Sequence, residues 1–169
     1  MKKMKKIILG LLVGLMVVSV AGCSKDTSEI SEIQEPEVKE PEITGTLEEI
    51  MEQIYSNTEL ELPQTSISTI NAENIEYFLG TADIEYVEAI ASEPMMSSIA
   101  HSVALVRVAE GTDIEDVKTK IKSNVDGMKW ICVGVEDDQI IVDNVGDLVI
   151  LIMDKESETM HQSFLSLAK

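Results

Sequence analysis

The chain has 169 residues, of which 31 are acidic and 13 are basic, and its formal net charge is −18. A surface this acidic repels nucleic acid and anionic lipid head groups, which excludes nucleic-acid binding and flat docking on a membrane. The sequence holds only two cysteines and two histidines, so it has neither a disulfide framework nor the ligand spacing of a zinc site.

The first two dozen residues have the layout of a secretory signal. Residues 1–6 carry four lysines, residues 7–18 are apolar, and residues 19–22 are mostly small. The apolar run is shorter than the roughly 20 residues of a membrane-spanning helix. The stretch "VAGC" that ends at Cys23 resembles the lipobox of bacterial lipoproteins, in which a diacylglycerol is attached to the cysteine thiol and a peptidase then cuts in front of it.

We therefore predict a lipoprotein signal peptide over residues 1–22 and acyl chains on Cys23. Two or three acyl chains hold a protein firmly on a membrane, whereas one holds it reversibly. This places the remainder of the chain on the extracytoplasmic face of the cell membrane, and loss of the four leader lysines leaves a net charge of about −22. An uncleaved anchor helix with a free thiol is the alternative, and it gives the same location.

An acidic linker follows the predicted acylation site. Residues 24–44 contain seven acidic residues, two prolines and few apolar side chains. Such a segment buries too little apolar surface to offset its chain entropy, so we predict a disordered tether. The domain organisation is then a lipidated cysteine and linker over residues 23–44 and one folded domain over residues 45–169.

Two helices are predicted in the first third of the domain. Thr46 is a candidate N-cap with Glu49 completing a capping box, and "LEEIMEQIYS" has apolar residues at helical spacing. The second helix has Asn71 as its predicted cap, runs through "AENIEYFLG" and stops at Gly80. The segment "LELPQTSISTI" between them is expected to be irregular or extended.

From Ile84 onward the apolar residues no longer recur at helical spacing, and their alternation is typical of strands. We predict two strands, in "IEYVEAIAS" and "IAHSVALVRV", joined by a loop that contains Pro94. An alanine-rich helix over residues 83–92 is the alternative. The next segment, "GTDIEDVKTKIKSNVDG", predicts a helix capped by Thr112 or Asp113.

The last third of the sequence contains "KWICVGV", "IIVDNVG" and "DLVILIMD" around an acidic turn, and then a closing helix in "ESETMHQSFLSLA". The run "LVILIM" is apolar on both faces, which is typical of a central, covered strand. We therefore predict an α+β fold: a single small domain with an antiparallel sheet of about four strands packed against helices on one side.

Three segments, taken in their order along the chain, resemble a known family. The segments "YFLG", "ASEPMMSSIAHSVALVRV" and "KWICVGVEDDQIIVDNVGDLVILIMD" resemble the DUF4358 group of lipoproteins from Gram-positive, clostridia-like bacteria, over about residues 47–167. The resemblance implies a lipobox, a polar tether and one small domain of unknown function. It brings no catalytic residues with it.

The residues that could support chemistry are few. Cys132 lies in the apolar stretch "KWICVGV", where a free cysteine is expected to act as a small packing residue. A nucleophilic thiol would need a base and a lowered pKa. We expect His101 to be a strand histidine with its ring hydrogen-bonded, and His161 to lie on an exposed helix face.

Several carboxylates could gather at one edge of the domain and hold a cation. Their spacing does not match a calcium-binding loop, so we favour a solvated turn. These residues are Glu136, Asp137, Asp138, Asp143 and Asp147.

The function that fits these observations is that of a membrane-anchored accessory module of the cell envelope that binds a protein or a peptide, with no cofactor and no metal. Met95, Met96 and Trp130 are the candidate contact residues, although methionines often fill core gaps and a tryptophan often anchors a core or sheet rim. One alternative is an envelope hydrolase or redox enzyme using Cys132 or the acidic edge. A purely structural envelope protein is another.

Overall fold

A computed structural model describes residues 41–169, which form four helices and a five-stranded antiparallel sheet. The predicted signal peptide, Cys23 and most of the predicted linker lie outside the described residues. Within residues 41–169, no helix has the length and apolar character needed to cross a membrane.

The sheet has the strand order β1-β2-β3-β5-β4, and every neighbouring pair is antiparallel. The single small α+β domain is confirmed, and the helix alternative for residues 83–92 is wrong because this region contributes a strand. The elements are α1 (Leu47–Ser56), β1 (Thr65–Thr69), α2 (Ile75–Leu79), β2 (Tyr86–Pro94), β3 (Ser102–Val108), α3 (Ile114–Asn124), β4 (Ile140–Val145), β5 (Leu148–Met153) and α4 (Ser157–Ser166).

The helix boundaries follow local capping chemistry. At the start of α1 the Glu49 N–H donates to Thr46 Oγ1 at 3.2 Å and the Thr46 N–H donates to Glu49 Oε2 at 3.0 Å, which confirms the capping box. Asp113 caps α3 by accepting from the Asp116 N–H at 3.1 Å. The second helix has its N-cap at Asn74, three residues later than the predicted cap Asn71, because the side chain of Asn71 accepts from the Glu73 N–H in a turn before the helix.

Helices cover both faces of the sheet, so the expectation of helices on one side was wrong. Helices α1 and α4 pack on one face, and α2 and α3 pack on the other. The reason lies in β3 and β5, whose side chains are almost all buried on both faces. A strand with two apolar faces needs a cover on each. The predicted central position of β5 is confirmed, since it lies between β3 and β4 and all six of its residues are buried.

The stretch "KWICVGV" is a loop outside the sheet and not a strand. Trp130 and Val135 are buried at its two ends, whereas Ile131 and Cys132 between them are exposed. The Val135 N–H donates to Gly127 O at 2.9 Å, so the loop closes on itself. The edge position of the sheet is taken instead by β1, from the segment that was expected to be irregular or extended.

The sheet has two distinct ends, which we name by the segments found there. At the linker end the chain arrives at residues 41–45, where Gly45 O accepts from Arg107 Nη2 at 3.2 Å and Gly146 packs against Pro41. At the loop end lie residues 57–64, 95–101, 126–139 and 154–156. The six residues of β5 separate the two ends by about 20 Å.

Candidate functional site

Two loops at the loop end carry most of the exposed apolar side chains. These apolar loops, residues 95–100 and 126–135, touch each other through a hydrogen bond from the Ile131 N–H to Ser97 O at 2.9 Å. Seven large hydrophobic residues are exposed among residues 41–169, and four of them lie on these loops. Those four are between 62 and 69% exposed: Met95, Met96, Met128 and Ile131. The two predicted methionine contacts are therefore accessible to a partner.

Trp130, the third predicted contact residue, is buried and does not belong to this exposed surface. Its indole Nε1–H donates to Glu93 Oε2 at 3.2 Å. The alternative interpretation, a core anchor, describes its position, because burial combined with a satisfied N–H is the usual state of a structural tryptophan. Its sequence neighbour Ile131 takes the exposed position.

A buried ion pair holds the second apolar loop against the sheet. Lys129 Nζ lies 2.7 Å from Glu93 Oε1 and 3.2 Å from Ser102 Oγ. It also lies 4.8 Å from the ring centre of Tyr77 and 5.3 Å from that of Trp130, within cation–π range. Burial lowers the pKa of Lys129, and the Glu93 carboxylate opposes that shift. The pair is thus desolvated, and it fixes the loop that presents Met128 and Ile131.

A groove of about 770 Å³ adjoins the apolar loops. We call it the distal groove, and its lining combines apolar and charged side chains. Residues from both apolar loops contribute to it, so the exposed methionines and the groove are parts of one end of the molecule. Its lining includes Leu60, Leu62, Pro63, Ile99, Ala100, Val133, Val135, Asp154, Lys155 and Glu156.

A buried hydrogen-bonded relay runs inward from this groove. The ring of His101 is fully buried; its Nδ1 lies 2.7 Å from Asp154 Oδ2 and its Nε2 lies 2.9 Å from the Tyr55 hydroxyl. Burial raises the pKa of Tyr55 well above its usual range, a shift opposed by the Ser92 hydroxyl and reinforced by the Asp154 carboxylate. The hydrogen-bonded ring expected for His101 is confirmed, although the residue lies just before β3. Neither Tyr55 nor Asp154 was a sequence candidate, since nothing local links them to a histidine.

Cys132 was expected to be buried, and this expectation is wrong. Its thiol is exposed and its backbone has a φ of 61°, a left-handed conformation that is uncommon for a residue other than glycine. Neither histidine of the chain pairs with it. His101 is engaged with Tyr55 and Asp154, and His161 Nε2 lies 2.8 Å from Asp143 Oδ2.

That contact also corrects the expectation for His161, which is largely buried against β4 and not freely exposed. Burial works to raise the pKa of Asp143, but the Asn144 N–H and His161 outweigh it and hold that pKa below its usual range.

The carboxylates considered as an alternative cation site do not gather at one edge. Asp137 and Asp138 lie in an exposed 3-10 turn at the loop end. Asp143 is engaged on β4, and Asp147 lies at the linker end, where its Oδ1 is 3.2 Å from Arg107 Nη1. Across residues 41–169 no three histidine, cysteine, aspartate or glutamate side chains are grouped so that they could hold a metal ion.

No family model matches this sequence, and no curated protein and no solved structure is significantly similar to it. The resemblance to the DUF4358 group stays a prediction.

Proposed function

We propose that this chain is a membrane-anchored, extracytoplasmic lipoprotein that binds a protein or a peptide of the cell envelope through its loop end. Acyl chains on Cys23 would hold it to the membrane. The observation that carries the proposal is the clustering of exposed apolar side chains on the two apolar loops.

Exposed apolar residues are normal when scattered, but a contiguous group marks an interaction surface. Met95, Met96 and Met128 give this group a particular character, because the unbranched thioether side chain adapts to partners of different shape. The distal groove beside them supplies a concave surface into which a partner side chain can fit.

The positions of the two sheet ends support binding through the loop end. The chain arrives at the linker end, and the apolar loops lie about 20 Å away at the other end. A flexible linker of the predicted length spans a few tens of Å. A tethered domain therefore presents its apolar loops away from its attachment point, towards partners above the membrane surface.

Site-specific photo-cross-linking in intact cells that produce the protein tests the proposal. A photoreactive amino acid at position 96 should yield a reproducible adduct with one partner, identified by mass spectrometry. The matched control is the same amino acid at position 87, because Val87 is 68% exposed but lies at the linker end. We expect that control to give no such adduct.

The double substitution Met95→Asp with Met96→Asp should abolish the adduct formed by a photoreactive residue at position 131, and Val87→Asp should leave it intact. Circular dichroism checks that both variants stay folded. Equal labelling from positions 87 and 96 would contradict binding at the loop end. Turnover of an envelope substrate that Cys132→Ala or Asp138→Ala removes would favour the enzyme alternative.

A further inference from the structure

Among residues 41–169, no strand pairs with the outer edge of β1, and this edge lacks charged side chains. The stretch from Gln64 to Asn71 contains no charged residue, in a chain where charged residues make up 26%. Sheet edges in proteins are commonly guarded by charged side chains that discourage pairing with another strand. The opposite edge, β4, follows this rule, because its Asp143 contacts both His161 and Lys118.

The register of β1 shows which of its main-chain groups face outward. Gln64 O accepts from the Met95 N–H and the Ile70 N–H donates to Ala89 O, each at 2.9 Å. These two bonds flank the pairs Thr65–Pro94 and Thr69–Ile90 and make them non-hydrogen-bonded pairs. Ser66 and Ser68 therefore bond to β2. The N–H groups of Thr65, Ile67 and Thr69 point to the open side, with the carbonyls of Thr65 and Ile67.

A groove of about 590 Å³, which we call the edge groove, runs beside this open edge, between β1 and α1. Met51 and Tyr55 lie on the helix side, and Thr65 and Ile67 lie on the strand side. Ile67 is 47% exposed there. A strand placed against β1 would direct alternate side chains into the edge groove, because successive residues of a strand point to opposite faces.

Two carboxylates define the charge of the edge groove. Glu48 and Glu52 are exposed residues of α1, one turn apart, and both line it. We propose that the edge of β1 and the edge groove bind an extended peptide segment that pairs with β1 and places a lysine or arginine near these carboxylates. This inference rests on the proposed binding function and gives it a second surface and a class of ligand.

Charge decides between this ligand and two other candidates. A second copy of the chain would bring its own Glu48 and Glu52 to the contact. The chain's own linker carries seven acidic residues over residues 24–44. Like charges at such a contact are unfavourable, whereas a basic side chain is attracted. Strand addition supplies affinity through main-chain hydrogen bonds, and the alternate side chains supply specificity.

Selection from a random ten-residue peptide library displayed on phage tests the proposal, with the full-length chain purified in detergent as bait. Enriched peptides should combine lysine or arginine with β-branched residues and lack proline at their centre. Ile67→Pro removes an outward N–H without breaking the ladder to β2, and we expect it to weaken binding about tenfold. Ile67→Thr, which keeps the N–H, should bind more tightly than Ile67→Pro.

Charge reversal gives a second variant that leaves the strand unchanged. Glu48→Lys with Glu52→Lys should weaken the selected basic peptides about tenfold. The matched control is Glu76→Lys, an exposed glutamate on α2 at the other face of the sheet, which should bind them as the wild type does.

Amide exchange measured by NMR gives a signature that a merely structural effect would not produce. On addition of a selected peptide, the amides of Thr65, Ile67 and Thr69 should become protected, while those of Ser66 and Ser68 change little. An absence of enriched peptides, binding that tolerates both the proline and the charge-reversal variants, or uniform protection along β1 would each overturn the proposal. If the peptide-binding tests fail while cross-linking from position 96 succeeds, the proposed function stands without this second site.

Discussion

Removing the charge of Lys129 tests how the second apolar loop is held in place. The side chains of Lys129 and Glu93 are 4% and 14% exposed, so the pair is almost free of solvent screening. Breaking a buried pair by removing one partner costs about 3–5 kcal/mol, since the other charge is left uncompensated. Glu93 keeps its hydrogen bonds from Ser102 and Trp130, which reduces this cost. For Lys129→Met we therefore expect a loss of about 2–3 kcal/mol in the free energy of unfolding.

Chemical denaturation at neutral pH measures this loss, and thermal unfolding should show a fall in Tm of roughly 8 °C for a domain of this size. The matched control is Lys155→Met, which removes the charge of an exposed lysine at the same end and should change stability by less than about 0.5 kcal/mol. Hydrogen exchange should also speed up across residues 126–135 in Lys129→Met.

A double-mutant cycle with Glu93→Gln separates the ion pair from the packing of the lysine stem. The double variant should be less destabilised than the sum of the two single variants, with a coupling of about 1–2 kcal/mol. If Lys129→Met is as stable as the wild type, or if the effects of the two substitutions on stability are additive, the ion pair does not anchor the loop.

Three further predictions concern separate features of the domain. Cys132 should react with a thiol reagent in the native protein as fast as it does after denaturation, and strong native protection would show that the loop buries it. Because the pKa of Asp143 is lowered in the folded state, the stability that this carboxylate contributes is present above its ordinary pKa of 3.8 and is lost as the pH falls further. Asp143→Asn should remove this part of the acid sensitivity, which urea denaturation should show as about 0.5 kcal/mol, and an unchanged dependence of stability on pH would contradict the assignment. Gly80→Ala should lower the free energy of unfolding by about 3 kcal/mol, because Gly80 has a φ of 74° and a Cβ there would lie 2.3 Å from the backbone of Asn124. Gly111→Ala should lower it by only about 1 kcal/mol, because Gly111 has a φ of 81° but a Cβ there would have no heavy atom within 4 Å. Equal losses for the two variants in denaturant titrations would show that the contact with Asn124 is not what matters at Gly80.

The elements that could be predicted from the sequence are those set by short-range chemistry. The capping box at Thr46 and Glu49, the aspartate cap of α3 and the left-handed Gly80 each involve groups within a few residues of one another. The central position of β5 could also be predicted, because a run that is apolar on both faces fits a covered strand. The same run implied a second layer of helices, which the one-sided expectation overlooked.

The segment "KWICVGV" shows where sequence pattern misleads. Its apolar residues are typical of a strand, but Trp130 and Val135 are buried as the two ends of a loop while Ile131 and Cys132 face solvent. Apolar periodicity reports that some side chains are buried and does not report what lies beside the backbone. The misplaced strand is the reason that Cys132 was wrongly expected to be buried.

The surroundings of His101 were beyond sequence analysis for a different reason. Its partners Tyr55 and Asp154 are 46 and 53 residues away along the chain, and only the folded sheet and α1 bring them together. The open edge of β1 could not be predicted from the sequence either, since the outward direction of its amides depends on its register with β2.

The meeting of residues 42 and 169 has a consequence for protein engineering. The Glu42 N–H donates to Lys169 O at 3.3 Å and the Lys169 N–H donates to Glu42 O at 3.2 Å, so these two positions are already neighbours. A short glycine linker could join them, and new termini could be opened at the exposed turn around Gly111. Such a circular permutant would keep every helix and strand of residues 41–169 while moving the chain termini of the domain to the turn around Gly111. A preceding segment could therefore be fused at a different position of the domain without redesign of its apolar loops.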